Sequence, residues 1–191
     1  MNLPNKLTLL RILMIPVFVL FASLGELPAG YLLAGLVFSL ASFTDFLDGS
    51  IARKRGLVTD FGKFADPLAD KILTTTAFLY MMADGVCHPL VLVLVLAREF
   101  AVSGVRMVAA GAKDGVVIAA NVWGKLKTVL QMVTIILYYA LAGLSNLHWL
   151  SISDYNIKVV IGILCWLVAA VTALSGIQYI WSARHYVNTT S

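Results

Sequence analysis

Residues 157–181 read IKVVIGILCWLVAAVTALSGIQYIW, a run in which Lys158 is the only formal charge. A helix needs about 20 predominantly apolar residues to cross the hydrocarbon layer of a bilayer, so this stretch reads as a membrane crossing. Working outward from it, the chain offers five more such stretches, approximately Leu7 to Leu24, Ala29 to Ala52, Pro67 to Ala83, Pro89 to Ala109 and Leu126 to Leu144. Polar or helix-breaking residues bound each one. Lys6 and Arg11 ahead of an apolar core, with Ala22-Ser23-Leu24 behind it, give the first stretch the outline of a signal peptide. Because the second crossing begins almost at once, the first is read as retained.

Composition supports the same reading. Of 191 residues, 60% are hydrophobic and 13% charged, and the mean hydropathy is +0.90. A soluble domain carries roughly 45 to 50% apolar and about 25% charged residues, so too few polar side chains are present here to cover a surface in water. Disorder, collagen, a coiled coil and a disulfide-stapled scaffold are excluded on the same grounds. The expected fold class is all-α: a polytopic membrane protein with six transmembrane helices and a short N-terminal interfacial segment from Asn2 to Lys6, forming one domain over residues 1–191. No internal repeat or linker divides it. Cys87, in a loop, and Cys165, inside an apolar run, are expected at different depths, as free thiols.

The net charge of +4 does not point to nucleic acid, because the cations are spread among short stretches and are not interleaved with exposed aromatics. They follow topology instead. Six crossings put both termini on one side, and every Lys and Arg except Lys158 falls on or near that side. The opposite turns carry Glu26, Asp84 and Asp154. The excess of cations places the termini, and the connections at 53–66 and 110–125, in the cytoplasm.

The unusual feature is a set of acids. Asp45 and Asp48 fall near the cytoplasmic end of the second crossing, and Asp66 and Asp70 open the third. An ionised Asp at the centre of a membrane helix costs roughly 2.5 to 3.5 kcal/mol on insertion scales, so something cationic must meet four of them. Spacings of three and four residues put each pair on one helical face, and two helix ends can then aim all four carboxylates at one point. Clustered carboxylates without histidine or thiolate suit Mg, Mn or Ca. His88 and His148 lie at the opposite face and His185 in the tail, so no zinc site can be assembled from them. Gly49 and Ala52 allow close approach to the helix carrying the acids, and Arg53 supplies a guanidinium suited to phosphate. A purely structural charge network, with the acids paired to Arg53, Lys54 and Lys71, is the competing reading.

As a string the segment is Asp45-x2-Asp48-Gly49-x2-Ala52-Arg53-x8-Gly62-x3-Asp66-x3-Asp70. It resembles the signature of the CDP-alcohol phosphatidyltransferases at every defining position. The resemblance implies metal-dependent transfer of a phosphatidyl group from CDP-diacylglycerol to an alcohol, with release of CMP. By matching position it assigns Asp45, Asp48, Asp66 and Asp70 as ligands of two divalent cations, Mg or Mn. It makes Asp70 the general base as well, and it places Asp48, Gly49 and Arg53 around the CDP-lipid, with Thr59 either joining them or capping the helix that follows. It further implies a homodimer in a bacterial inner membrane, with the active site toward the cytoplasm.

The acceptor is sought among the remaining cations. The fourth crossing carries Arg98, Glu99, Ser103 and Arg106, and Arg98 and Arg106 lie about 80° apart around a helix. The fifth opens on Lys125 and Lys127 and continues as a stripe of Lys127, Gln131, Thr134 and Tyr138, within about 40° of one another. Such a stripe is expected to face the bundle interior. Arg98, Arg106, Lys125 and Lys127 turned toward the acids would hold a phosphate, which favours an acceptor that carries one. These strings, with Asn2-Leu3-Pro4-Asn5-Lys6-Leu7-Thr8-x2-Arg11, resemble the bacterial branch of the family whose acceptor is sn-glycerol 3-phosphate. The plainer reading has the lysines as helix-end anchors, Arg98 paired with Glu99, and Arg11 as an interfacial anchor. Asp60 is expected to cap a short helix leading to Gly62, and Pro67 to occupy a first helical turn beginning at Asp66. The rival functions are the same chemistry with inositol phosphate or serine as acceptor, and a divalent-cation transporter.

Overall fold

A computed structural model describes residues 3–25, 27–55, 60–111 and 122–183. They form six helices: α1 (Leu3–Ser23), α2 (Gly30–Arg55), α3 (Asp60–Ala83), α4 (Pro89–Gly111), α5 (Val122–Asn146) and α6 (Asp154–Ala183). A helix stands at each expected crossing, and no strand occurs among the described residues.

α1 packs on α2 and α3, α5 on α2 and α6, and α4 chiefly on α6. Phe18, Phe38, Phe78, Tyr139, Ile135 and Ile161 are all wholly buried in a single core. The outer surface is apolar as well: Leu13, Leu36, Phe43, Val93 and Ile163 are each more than half exposed. That shell is stable only against lipid, because an aqueous surface of this kind would associate. Among the described residues α1, α5 and α6 are long and apolar enough to cross a membrane, and α2 carries an apolar stretch over Gly30–Thr44. Exposed aromatics mark both ends of the bundle, Trp149 and Tyr155 at one and Trp123 and Trp181 at the other. Tyr155 and Trp181 are about 39 Å apart along α6, close to a full bilayer with its interfacial layers.

Close approach of α2 and α5 requires a glycine. A side-chain carbon at Gly143 would lie 2.7 Å from the backbone nitrogen of Leu32.

The structure departs from the sequence expectations in four places. The N-terminal stretch is helical from Leu3 and continuous with α1. α3 begins at Asp60, so Asp60 opens this long helix and caps no separate short one, and Pro67 lies within it, not in its first turn. Arg11 is wholly buried, which an interfacial anchor would not be. Cys87 and Cys165 are both buried free thiols in the same packed core, and so share a depth. The cause is the connection after α3. Gly85 takes a left-handed φ of 74°, and the amides of Val86 and Cys87 both donate to the Met81 carbonyl at 2.9 and 3.1 Å. This helix-ending turn folds the loop back into the core.

Candidate functional site

The last turns of α2 carry Asp45, Asp48, Gly49 and Arg53. Their side chains lie outside the described residues, as does Thr59 altogether. On α3, Asp66 and Asp70 are both partly buried. Ala65 and Ala69 precede them and are buried, at 4% and 0% exposure. A methyl group beside each acid lets α3 pack closely while its carboxylates stay at the edge of the packed face.

Asp66 is held by α1, where the hydroxyl of Thr8 donates to its Oδ1. Thr8 and Arg11 are wholly buried and Asn5 nearly so, so three polar residues spaced three apart turn one face of α1 inward. The first helix therefore contacts one of the candidate site acids, a role not assigned to it from sequence. The signal was the 5, 8, 11 spacing of polar residues in an otherwise apolar run. On the following turn of α3 the Lys71 ammonium donates to Ser103 Oγ on α4, and the Thr74 hydroxyl donates to the Asp70 carbonyl at 2.9 Å.

A second polar group joins α4, α5 and α6. Glu99 Oε1 accepts from Arg98 Nη1 at 2.9 Å and from Lys127 Nζ at 2.6 Å, and the side chains of these residues are 18%, 12% and 6% exposed respectively. Arg98 Nη2 also donates to Ser175 Oγ at 2.8 Å. One carboxylate thus offsets two cations that would be costly to bury alone. Arg106 donates from Nε to the Tyr179 hydroxyl at 3.0 Å, and its guanidinium lies 5.3 Å over that ring. The polar stripe of α5 faces inward, since Lys127, Gln131, Thr134 and Tyr138 are all buried. Of the four cations considered for an acceptor phosphate, Arg98 and Lys127 meet through Glu99, Arg106 is braced by Tyr179, and Lys125 is exposed on α5. Thr172, Ser175 and Tyr179, buried at helical spacing on α6, were also not singled out from sequence.

Between α3 and α4 opens a hollow of about 340 Å³, lined mainly by apolar side chains such as Leu68, Ile72, Leu96 and Phe100, with Lys71 and Glu99 at its polar margin. Leu68, Ile72 and Phe100 on its lining are exposed on the outer face of the bundle.

Among the described residues no group of three or more His, Cys, Asp or Glu side chains gathers. Asp66 and Asp70 are two of the four expected carboxylates, and they offer only oxygen donors, with His88 and His148 at the opposite end of the bundle. That donor chemistry fits a hard divalent ion such as Mg or Mn.

A family model described as CDP-alcohol phosphatidyltransferase matches residues 1–178. A Bacillus subtilis protein named CDP-diacylglycerol–glycerol-3-phosphate 3-phosphatidyltransferase is 41% identical over 145 residues, covering 70% of this chain and 74% of its own. A Rickettsia bellii protein of the same name is 38% identical over 185 residues, covering 97% of each chain. A Haemophilus influenzae protein, again of that name, is 32% identical over 187 residues, covering 96% of this chain and 94% of its own.

Proposed function

The chain belongs to the CDP-alcohol phosphatidyltransferase family, and from that premise we propose that it transfers the phosphatidyl group of CDP-diacylglycerol to sn-glycerol 3-phosphate, yielding phosphatidylglycerophosphate and CMP. The observation that carries this reading is that the acids of the 45–70 signature fall on the end of α2 and the first half of α3. This is the same end of the bundle to which α4 and α5 bring Arg106 and Lys127.

In this reading the acceptor hydroxyl attacks the phosphorus that bears the diacylglycerol, and the bond from that phosphorus to CMP breaks. Asp70 takes the hydroxyl proton, acting by position at the edge of the packed face. Asp45, Asp48, Asp66 and Asp70 would hold two divalent ions, which when bound supply charge neutralisation at the pyrophosphate. Thr8 fixes the rotamer of Asp66 through its hydrogen bond. Asp48, Gly49, Arg53 and Thr59 take the CDP group. Arg98, Arg106, Lys125 and Lys127 receive the acceptor's phosphate, with Glu99 tempering the field so that two cations persist in a partly buried place. The acyl chains remain in the bilayer by lying in the hollow between α3 and α4.

The cation asymmetry orients this end toward the cytoplasm, where both the acceptor and CMP are soluble. A homodimer is proposed from the family likeness.

The test is purified protein with CDP-diacylglycerol and a panel of labelled alcohols, quantifying CMP and lipid product with and without divalent ion. CMP release is expected with glycerol 3-phosphate, only in the presence of Mg or Mn. Release with inositol phosphate or serine but not glycerol 3-phosphate overturns the acceptor. Asp70→Asn is expected to abolish turnover while sparing membrane insertion, and normal CMP release by that variant rejects the base.

A further inference from the structure

At the end of the bundle away from the acids, the start of α2, the ends of α3 and α5 and the start of α6 enclose a cavity of about 220 Å³. Its polar lining comes from Tyr31, Asp84, Tyr138, Asn146, Asp154 and Lys158. Phosphatidyl transfer at the opposite end uses none of them. Two carboxylates and one ammonium share this lining, and among the described residues the ion pairs are those of Glu99, so neither acid is neutralised by Lys158. Asp84 accepts from the Tyr138 hydroxyl at 2.5 Å, and the Tyr31 hydroxyl also faces it. An ionised carboxylate has about four acceptor positions, so part of Asp84's capacity is left for a ligand. The rings of Tyr31 and Tyr138 stand edge to face with centroids 5.8 Å apart, and they line the cavity together with the acids.

Acids and aromatic faces around one hollow are the surroundings an ammonium group selects, through charge-assisted hydrogen bonds and cation–π attraction. A bare divalent ion is served less well, because it prefers six or more oxygen ligands from several carboxylates and the described residues show only two acids here. A simple cation would also meet repulsion from Lys158. A ligand bearing a phosphate one short linker from its ammonium turns that repulsion into a contact. The level of the cavity agrees with a head group, since Trp149 and Tyr155, each 75% exposed, mark this end as the lipid–water interface.

We infer that this cavity binds a phosphoethanolamine group, with the primary ammonium seated between Asp84, Asp154 and the rings of Tyr31 and Tyr138, and the phosphate at Lys158. The inference stands independently of the transferase reading. Because the lining comes from α2, α5, α6 and the segment just after α3, an occupant would tie together the far ends of the two helices that carry the acids.

The experiment uses the full chain in detergent, exchanged with an equimolar mixture of phosphatidylethanolamine and phosphatidylglycerol, and reads retained lipid by native mass spectrometry. Retention of phosphatidylethanolamine is expected to exceed that of phosphatidylglycerol by about fivefold, roughly 1 kcal/mol of preference. The double change Asp84→Asn with Asp154→Asn is expected to remove the preference, and Lys158→Gln, at an exposed position, to lower retention of both lipids alike, while CMP release continues in each. Competition by free phosphoethanolamine separates the sources. Displacement of the lipid at equal concentration assigns the site to the soluble compound, and displacement only at large excess assigns it to the lipid. Equal retention of the two lipids by the unaltered chain overturns the inference, as does an undiminished preference in the double variant.

Discussion

The Lys127 ammonium lies 2.6 Å from the Glu99 carboxylate, joining α5 to α4 at a point where Lys127 is almost wholly buried. Arg98 shares the same oxygen. Removing the acid therefore strands two cations in a poorly hydrated place, and breaking a buried pair from one side costs about 3 to 5 kcal/mol. Glu99→Gln is expected to lower the thermal midpoint of the detergent-solubilised protein clearly, and Glu99→Asp, which keeps the charge, to recover much of the loss. Equal midpoints for Glu99→Gln and the parent would mean that the cations are hydrated and that the carboxylate carries no structural role.

Thr8→Val keeps the shape of the side chain while removing the donor to Asp66. A hydrogen bond to a charged group contributes about 1.5 to 3 kcal/mol, and here the loss also frees the rotamer of a proposed metal ligand. The expected result is a divalent-ion concentration for half-maximal CMP release raised by about tenfold, the usual scale of losing an outer partner of a metal ligand. An unchanged metal dependence would limit Thr8 to holding α1 against α3. The paired change Asp45→Asn with Asp66→Asn goes further and is expected to eliminate activity together with any stimulation by Mg or Mn. Residual stimulation in that protein would remove these two acids from the ligand set.

Tyr179→Phe deletes the hydroxyl that receives Arg106 Nε and keeps the ring beneath the guanidinium. The KM for glycerol 3-phosphate is expected to rise about fivefold, as for a lost hydrogen bond of about 1 kcal/mol, with the KM for CDP-diacylglycerol unchanged. Arg106→Lys tests the same contact from the other side, because an ammonium has neither the planar fork nor the stacking face of a guanidinium. A uniform loss in both KM values would separate Arg106 from the acceptor.

How much of this was legible in the chain depends on the range of the interaction. The six helices could be read locally, as apolar runs closed by breakers. The start of α3 could not, since Asp60 to Ala65 is charged and mixed, and hydropathy reports where lipid begins, not where a helix does. Arg98 beside Glu99 was visible as a neighbouring pair, but Lys127 joining them depends on how α4 and α5 meet, which no local pattern encodes. The burial of Thr8 and Arg11 left a trace in the three-residue spacing of polar positions on α1. A threonine costs so little in an apolar helix that its presence alone demanded no partner. Expecting Cys87 and Cys165 at different depths assumed that a loop stays out of the core, and the turn at Gly85 folds it back in with Cys165.

The hollow between α3 and α4 gives the most selective prediction. Ile72 is 42% exposed and lines that space on the lipid-facing side of α3, so a larger ring there can fill the hollow without invading the packed core. If the acyl chains of CDP-diacylglycerol lie in it, Ile72→Trp raises the KM for the long-chain substrate by about fivefold while kcat and the KM for glycerol 3-phosphate stay within about twofold, the pattern of a lost ground-state contact. A short-chain CDP-diacylglycerol, with too little tail to reach the hollow, is then used equally well by the variant and the parent. An identical KM increase for the short and long substrates would place the tails elsewhere, because the ring would be acting on the head-group site through α3 and not on the path of the chains.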